Sequence, residues 1–244
     1  MIKTKATPIA QKLSAYMTLS DSDWVILKNW QEQTKIFSVD QDIVHQGQAK
    51  RAAYVLSSGW VCSYKLQSDG TRQIVDIQIP GDFLGLRSAV FRVSDHSFMP
   101  ITTVAAAVVP TDDLLATFSK SPKLAAAILW AVSRDEAMLV EHLVGIGRRD
   151  AERRVAHFLL ELAARLQLVG MGDRTGYDCP LTQYHLADTL GLSAIHVNRV
   201  LRRLREMEMV TFQHGHVTVL DDERLIDFAE FDASYLDQMT PILG

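Results

Sequence analysis

The segment TQYHLADTLGLSAIHVNRVLRRLR, residues 182–205, restricts this chain more than any other. Thr182 is a good N-cap, because its hydroxyl can accept from the free N–H groups of a first helical turn. The short helix it opens buries Leu186, Ala187 and Leu190. Gly191-Leu192 leaves room only for a sharp bend, and Ser193 caps a second helix. Two helices joined by a turn of about three or four residues with glycine make a helix-turn-helix. In the second helix Val197, Val200, Leu201 and Leu204 stand at i, i+3, i+4 and i+7 and face inward. The opposite face carries Ala194, Ile195, Asn198, Arg199 and Arg202. A helix with such a face enters the major groove of DNA with its N-terminal residues leading. Arginine pairs there with guanine O6 and N7, and asparagine with adenine.

Charge supports that reading once it is located. The net charge is −4. All nine lysines lie at or before Lys123, while residues 148–205 hold ten arginines and six acids, giving +4. A local basic segment in an acidic chain suggests an anionic partner for that segment. After it come two short strand-like runs, Val210-Thr211-Phe212-Gln213 and His216-Val217-Thr218-Val219, around Gly215. They read as the wing of a winged helix. His214 and His216 flank its tip as surface residues near phosphate, and two histidines are too few for a metal site.

The first part of the chain reads as β structure. Gly47, Gly59, Gly70 and Gly81 are spaced 12, 11 and 11 residues apart. Turn signals at that interval mark a barrel or sandwich. Strand-like runs cover 53–56, 60–66 and 73–79. Ser68-Asp69-Gly70 makes a hairpin and Pro80-Gly81-Asp82 the next turn. A further run, 101–109, ends at Pro110.

A long helix starts at Ser121-Pro122 and runs to about Gly145. Ala125, Leu129, Val132, Glu136, Leu139, Leu143 and Ile146 follow a 4-3-4-3-4-3 spacing, the seam of a coiled coil. Leu124, Ile128, Ala131 and Met138 form a second apolar stripe. Two apolar faces need two partners, the helix's own β domain and a second subunit. Glycine costs about 1 kcal/mol in a helix interior, so Gly145-Ile146-Gly147 is expected to break this helix as a hinge. Another helix is expected from Asp150 to Leu168, burying Val155, Phe158, Leu159, Leu162 and Leu166. VGMGDRTGY, residues 169–177, holds three glycines and reads as a loop.

Length 244 and 48% hydrophobic residues suit two domains with real cores. No apolar run is long enough for a membrane span, and the N-terminus lacks a signal peptide's apolar stretch, so a cytoplasmic protein is expected. Cys62 and Cys179 are too few for a disulfide scaffold, a four-thiolate zinc site or an iron–sulfur site. They are expected to be reduced and packed, with a redox role for Cys179 as the alternative. No nucleophile–base pair, phosphate-binding glycine loop or metal-ligand cluster is present, so neither an enzyme, a metal site nor a cofactor is expected.

Taken together, the Gly-spaced β region with DGTRQIVDIQIPGDFLG, the long helix, GRRDAERRVAHFLLEL and LTQYHLADTLGLSAIHVNRVLRRLREMEMV resemble the Crp–Fnr family of bacterial transcription regulators. The resemblance covers roughly residues 36–225. It implies an α+β chain: an N-terminal cyclic-nucleotide-binding-type β-roll (1–120), a dimerisation helix and hinge (121–147), a C-terminal winged helix-turn-helix (148–230) and a tail (231–244). It also implies a homodimer on a two-fold symmetric DNA site, with RNA polymerase as a further partner. Arg199 matches the arginine that reads a guanine in each half-site, and Thr182, Ser193 and His196 match positions near phosphate. With Ala194, Ile195, Asn198 and Arg202 they make the expected DNA-binding set. Leu129, Val132, Glu136, Leu139 and Leu143 make the expected dimer interface.

The chain departs from the family at two places. Glutamate is frequent where this chain has Ile195, and isoleucine cannot accept from a cytosine amine, though it can contact a thymine methyl. The cyclic-AMP-binding members carry Gly-Glu after the PGD-F turn and an Arg-Ser pair for the phosphate. Here those places hold Gly85-Leu86 and Met99-Pro100. An effector pocket is expected around Gly81, Phe83, Leu84, Gly85, Leu86 and Met99, without either polar anchor. Residues 1–40 hold no cysteine for an iron–sulfur sensor, and His45 and His96 stand as haem candidates with no supporting context. Two other readings are weighed: a cyclic-nucleotide-responsive protein with non-standard anchors such as Arg87 or Arg92, and a β-roll interaction module whose helix-turn-helix binds protein. The second would need an acidic or apolar outer face on residues 194–202.

Overall fold

The computed structural model describes residues 6–39, 41–49 and 52–236. They form two compact units. One holds the described residues up to Lys65 together with Ile77–Ser133; the other holds Leu66–Asp76 and residues 134–236. The border between them falls inside the long helix, and a β-hairpin tip belongs with the C-terminal unit. Residues 1–5 of the expected first domain and 237–244 of the expected tail lie outside the described residues.

The first unit opens with α1 (Pro8–Ser14) and α2 (Asp21–Glu32). Ser20 caps α2: its Oγ accepts from Asp23 N, and its own N–H donates to Asp23 Oδ2 at 2.9 Å. Then follow β1 (Thr34–Phe37), β2 (Ala52–Ser58), β3 (Val61–Leu66), β4 (Arg72–Gln78), β5 (Phe83–Leu84) and α3 (Leu86–Val90). After these come β6 (Ser97–Pro100), β7 (Val104–Pro110), α4 (Thr111–Lys120) and α5 (Pro122–Arg148). One sheet has the order β1-β7-β2-β5, and β3 pairs with β6 so that Cys62 lies opposite Met99. The expected run 101–109 starts later, at Val104, because Ile101 belongs to the turn that leaves β6. Between β2 and β3 the chain turns at Gly59 with φ +85°, where an added Cβ would lie 2.4 Å from the Thr103 carbonyl.

Alternation along β2 feeds two cores. Tyr54 and Leu56 join Ile43, Val61, Leu84, Phe98 and Val104 between the sheets. Val55 turns the other way and packs with Ile9, Leu13, Leu27, Trp30, Leu124 and Ile128 of the helices. A strand covered on both faces loses the polar half of its alternation. The Lys12 ammonium reaches into this region and pairs with Asp82 Oδ1 at 2.7 Å, both side chains buried.

Helix α5 is continuous through Gly145 and Gly147, so the expected break is not there. Propensity is a weak prior that tertiary packing overrides. Gly145 is buried beside the Arg149 and Arg154 side chains, which would lie 3.5 and 3.7 Å from an added Cβ. The stripe Leu124, Ile128, Ala131 and Met138 is buried, as its spacing predicts.

The second unit contains α6 (Ala151–Leu168), β8 (Gly172–Asp173), β9 (Gly176–Asp178), α7 (Gln183–Leu190) and α8 (Ala194–Glu206). It ends with β10 (Val210–Gln213), β11 (His216–Val219), α9 (Asp222–Ala229) and a 3₁₀ turn, Ala233–Leu236. The α6 stripe Val155, Phe158, Leu159, Leu162 and Leu166 is buried. Residues 169–177 are not a simple loop: β8 and β9 form a hairpin that extends the wing sheet in the order β10-β11-β9-β8. Asp173 Oδ1 closes its turn by accepting from Thr175 N at 2.7 Å. Gly176 is required there, since a Cβ would sit 2.3 Å from the Val217 carbonyl. Tyr177 then donates its hydroxyl to the Leu159 carbonyl at 2.8 Å, tying the sheet to α6.

Candidate nucleic-acid interface

Local chemistry fixes the α7–turn–α8 geometry. Thr182 Oγ1 accepts from His185 N at 3.3 Å, and Thr182 N donates back to His185 Nδ1 at 3.1 Å. Gly191 ends α7 with φ +65°, a left-handed cap that glycine takes without steric cost. Ser193 Oγ accepts from His196 N at 3.2 Å and starts α8. Leu186, Leu190, Val197, Val200 and Leu204 are buried; Leu201 is half-buried rather than core. On the outside, Thr182, Ser193, Ile195, Asn198, Arg199 and Arg202 are exposed, while Ala194 and His196 are half-buried. The outer face is therefore basic, with one large apolar side chain.

The ten arginines of residues 148–205 divide sharply. Arg165 is buried between Asp76, at 3.5 Å, and Glu161, at 3.7 Å. Arg149 pairs with Glu141, Arg153 with Glu230 at 2.6 Å, and Arg174 with Asp222 at 4.0 Å. Arg154 donates to main-chain carbonyls. Among the described residues Arg199, Arg202, Arg203 and Arg205 make no ion pair, and all four lie on α8. Arg148, exposed at the end of α5, likewise makes no ion pair among the described residues, so four of the five unpaired arginines of this segment sit on the helix shaped to meet DNA.

At the wing, His214 (φ +53°) and Gly215 (φ +74°) form the tight two-residue turn that suits the twist of its strands. His214 occupies the turn, and His216 Nδ1 bonds Asp178 Oδ1 at 2.8 Å. Cys179 N–H donates to the Gly215 carbonyl at 2.8 Å. Burial pushes the Cys179 thiol up to about 12, so it holds almost no thiolate at neutral pH.

Three supports were not readable from sequence. Arg154 Nη1 donates to Leu190 O at 2.7 Å, and Nη2 donates to Arg149 O at 2.9 Å and Ile146 O at 3.2 Å. It staples the last carbonyls of α5 and α7 to α6. Arg72 donates through Nε and Nη2 to Asp188 Oδ2 at 2.9 and 2.7 Å, and Gln73 Nε2 donates to Asp188 O at 2.7 Å. The hairpin tip Leu66–Asp76 is thereby fastened to α7 inside this unit. Third, buried Glu161 accepts from His142 Nε2 at 2.9 Å and from Tyr235 OH at 2.8 Å. Burial alone would raise the Glu161 carboxyl, but His142, Arg165 and Tyr235 outweigh it and hold it at about 2. An arginine in a run such as RRDAERR carries no sign of which one turns inward.

Along α5, Leu129 is 65% and Leu143 70% exposed; Glu136 is exposed, and Val132 and Leu139 are half-buried. Gly81, Phe83, Leu84 and Gly85 are buried and Leu86 and Met99 half-buried. They do not line one space: Phe83 packs with the helices and Leu84 between the sheets, since neighbours on a strand point to opposite faces. Arg87 lies 3.5 Å from Asp95. His45 pairs with Asp42, and His96 is buried against Asp95 and the Phe98 ring. Among the described residues no group of three His, Cys, Asp or Glu side chains is placed to hold a metal, and no helix is long and apolar enough to cross a membrane.

Two family models match, a cyclic nucleotide-binding domain over residues 34–121 and a Crp-like helix-turn-helix domain over 153–228. The nitrogen fixation regulation protein FixK of Rhizobium meliloti is 32% identical over 199 residues, covering 79% of this chain and 81% of its own. The anaerobic regulatory protein of Pasteurella multocida is 27% identical over 213 residues, covering 87% of this chain and 77% of its own. Among solved structures, FixK2 from Bradyrhizobium japonicum superposes with a TM-score of 0.72 at 25% identity, over 80% of this chain and 96% of that one.

Proposed function

The chain belongs to the Crp–Fnr family of DNA-binding transcription regulators, and on that premise we propose that it acts as a homodimer on an inverted-repeat operator. The carrying observation is the capped α7–α8 pair, whose outward face presents Asn198, Arg199 and Arg202, with four arginines of α8 making no ion pair among the described residues. Arg199 reads a guanine in each half-site; Thr182, Ser193 and His196 lie along the phosphates. The half-site centres stand about 34–36 Å apart, one helical turn, as two recognition helices in a symmetric dimer require. Exposed Leu129 and Leu143 support α5 as the subunit contact, with Val132, Glu136 and Leu139 on the same seam. Double-stranded DNA and RNA polymerase are the partners, the cytoplasm is the compartment, and regulation rather than catalysis is the role.

Binding titrations test the docking. Arg199→Ala is expected to lose about 1–3 kcal/mol of discrimination at one guanine per half-site. Arg202→Ala is expected to weaken specific and non-specific DNA equally, because a phosphate contact carries no base information. Full discrimination in the Arg199 variant would sink the model.

The reading includes DNA binding without cyclic AMP. A buried cyclic phosphate needs a charge-assisted partner. Leu86 and Met99 offer none, Pro100 lacks a backbone donor, and Arg87 already faces Asp95. Calorimetry with cyclic AMP is expected to show no micromolar binding; tight binding that also raised operator affinity would overturn this part.

A further inference from the structure

We infer that Ile195 is a specificity-determining residue that reads the 5-methyl group of a thymine. The inference rests on the operator-binding reading above and goes beyond it by naming a second base. Ile195 is 83% exposed, more than any other large apolar side chain among the described residues. Its position matters more than its exposure. Ser193 caps α8, so Ile195 falls in the first turn, which leads into a major groove. It stands three residues before Asn198 and four before Arg199, so the three share one face. Each other exposed residue on that face can donate to a base or phosphate; Ile195 can neither donate nor accept.

That chemistry narrows what it can recognise. Thymine alone presents a methyl group at the major-groove edge, whereas guanine, adenine and cytosine are read there through their donors and acceptors. A β-branched side chain in a helix keeps nearly one χ1 rotamer, so Ile195 meets that methyl with little ordering cost. Four residues along a helix span about 6 Å. At about 3.4 Å per base pair, the thymine lies within about two pairs of the guanine read by Arg199. Burying a methyl group and the isoleucine tip against each other corresponds to about three- to fivefold in affinity per half-site.

The test uses full-length protein and a random DNA pool to select bound sequences. Each thymine of the selected site is then replaced by deoxyuridine, which removes only the methyl group, and the affinities are titrated. Wild-type protein is expected to lose about three- to fivefold at one thymine per half-site, within about two pairs of the Arg199 guanine. Ile195→Ala, a change at an exposed position that leaves the core intact, is expected to bind the thymine and uracil versions equally. A selected site with no methyl-sensitive thymine, or one whose sensitivity persists in Ile195→Ala, would overturn the inference alone. If no sequence were selected at all, the operator-binding reading would fall and this inference with it.

Discussion

At the scale of single residues, the buried pair Lys12–Asp82 makes the sharpest demand on the fold. Asp82 also accepts from Ile79 N at 2.9 Å, so one carboxylate closes the Pro80-Gly81-Asp82 turn and anchors α1. Replacing Lys12 by Met leaves Asp82 buried without that ammonium. Breaking a buried pair from one side costs about 3–5 kcal/mol. Urea denaturation of Lys12→Met is expected to show that loss, and adding Asp82→Asn should recover most of it. A single variant as stable as wild type would mean the pair is hydrated. The turn at Asp82 was legible in the sequence, but its partner, 70 residues away, was not. Sequence periodicity reports which face is apolar; it is silent on which lysine is drawn into that face. The same holds for half-buried Arg154 and buried Arg165, both read from sequence only as positive charge.

Elements were legible where local chemistry and periodicity agree. Helices α7 and α8 combine caps, a glycine turn and clean apolar spacing, and both were readable almost to the residue. The hinge in α5 was misread because two glycines lower helix propensity without deciding it. The hairpin β8–β9 was missed because glycine there serves close backbone approach as well as turning. Helices α1 and α2 carry local signals of their own: Ile9 and Leu13 at i, i+4, and the Ser20–Asp23 cap. Strand alternation also divides the residues expected around an effector pocket. Phe83 and Leu84 are adjacent in a strand and so cannot face one cavity. The α5 correction has a measurable consequence. An added Cβ at Gly145 meets its neighbours at ordinary contact distance, so Gly145→Ala should keep the helix and stabilise the protein by up to about 1 kcal/mol. Thermal melting checks the gain; a fall in Tm with loss of operator binding would restore the hinge.

For the whole molecule, two properties follow from how these elements are partnered. Leu143 is exposed within one chain, so Leu143→Glu should leave the monomer folded and place two like charges in an apolar contact between subunits. Sedimentation is expected to show monomers, and an unchanged dimer would move the interface off α5. A buried cluster in the C-terminal unit, where His142, Glu141 and Arg149 meet His157, Glu161, Arg165, Tyr235 and Asp76, contributes to the dependence of stability on pH. Burial, with Arg149 beside it, pushes His157 down to about 4. Between its unfolded value of about 6.5 and that value, the unfolded chain takes up a proton that the folded chain refuses. Stability therefore falls as pH drops through that window, by about 3 kcal/mol in all. Glu161, held at about 2, adds stability that is complete above the unfolded carboxylate range and lost as pH falls through about 2. His142 acts in the opposite sense. Burial opposes its charge, but the Glu161 carboxylate prevails and raises its pKa. Its contribution is complete below the unfolded value and lost as pH rises through the folded one. These three contributions are jointly complete at about pH 6.5, the unfolded histidine value, and give a maximum there. Melting temperature measured from about pH 4 to about pH 9 should trace that maximum. His157→Gln should flatten the acid side and His142→Gln the alkaline side. A melting temperature that kept climbing toward alkaline pH in the wild-type protein would show that the Glu161 carboxylate does not hold the His142 proton.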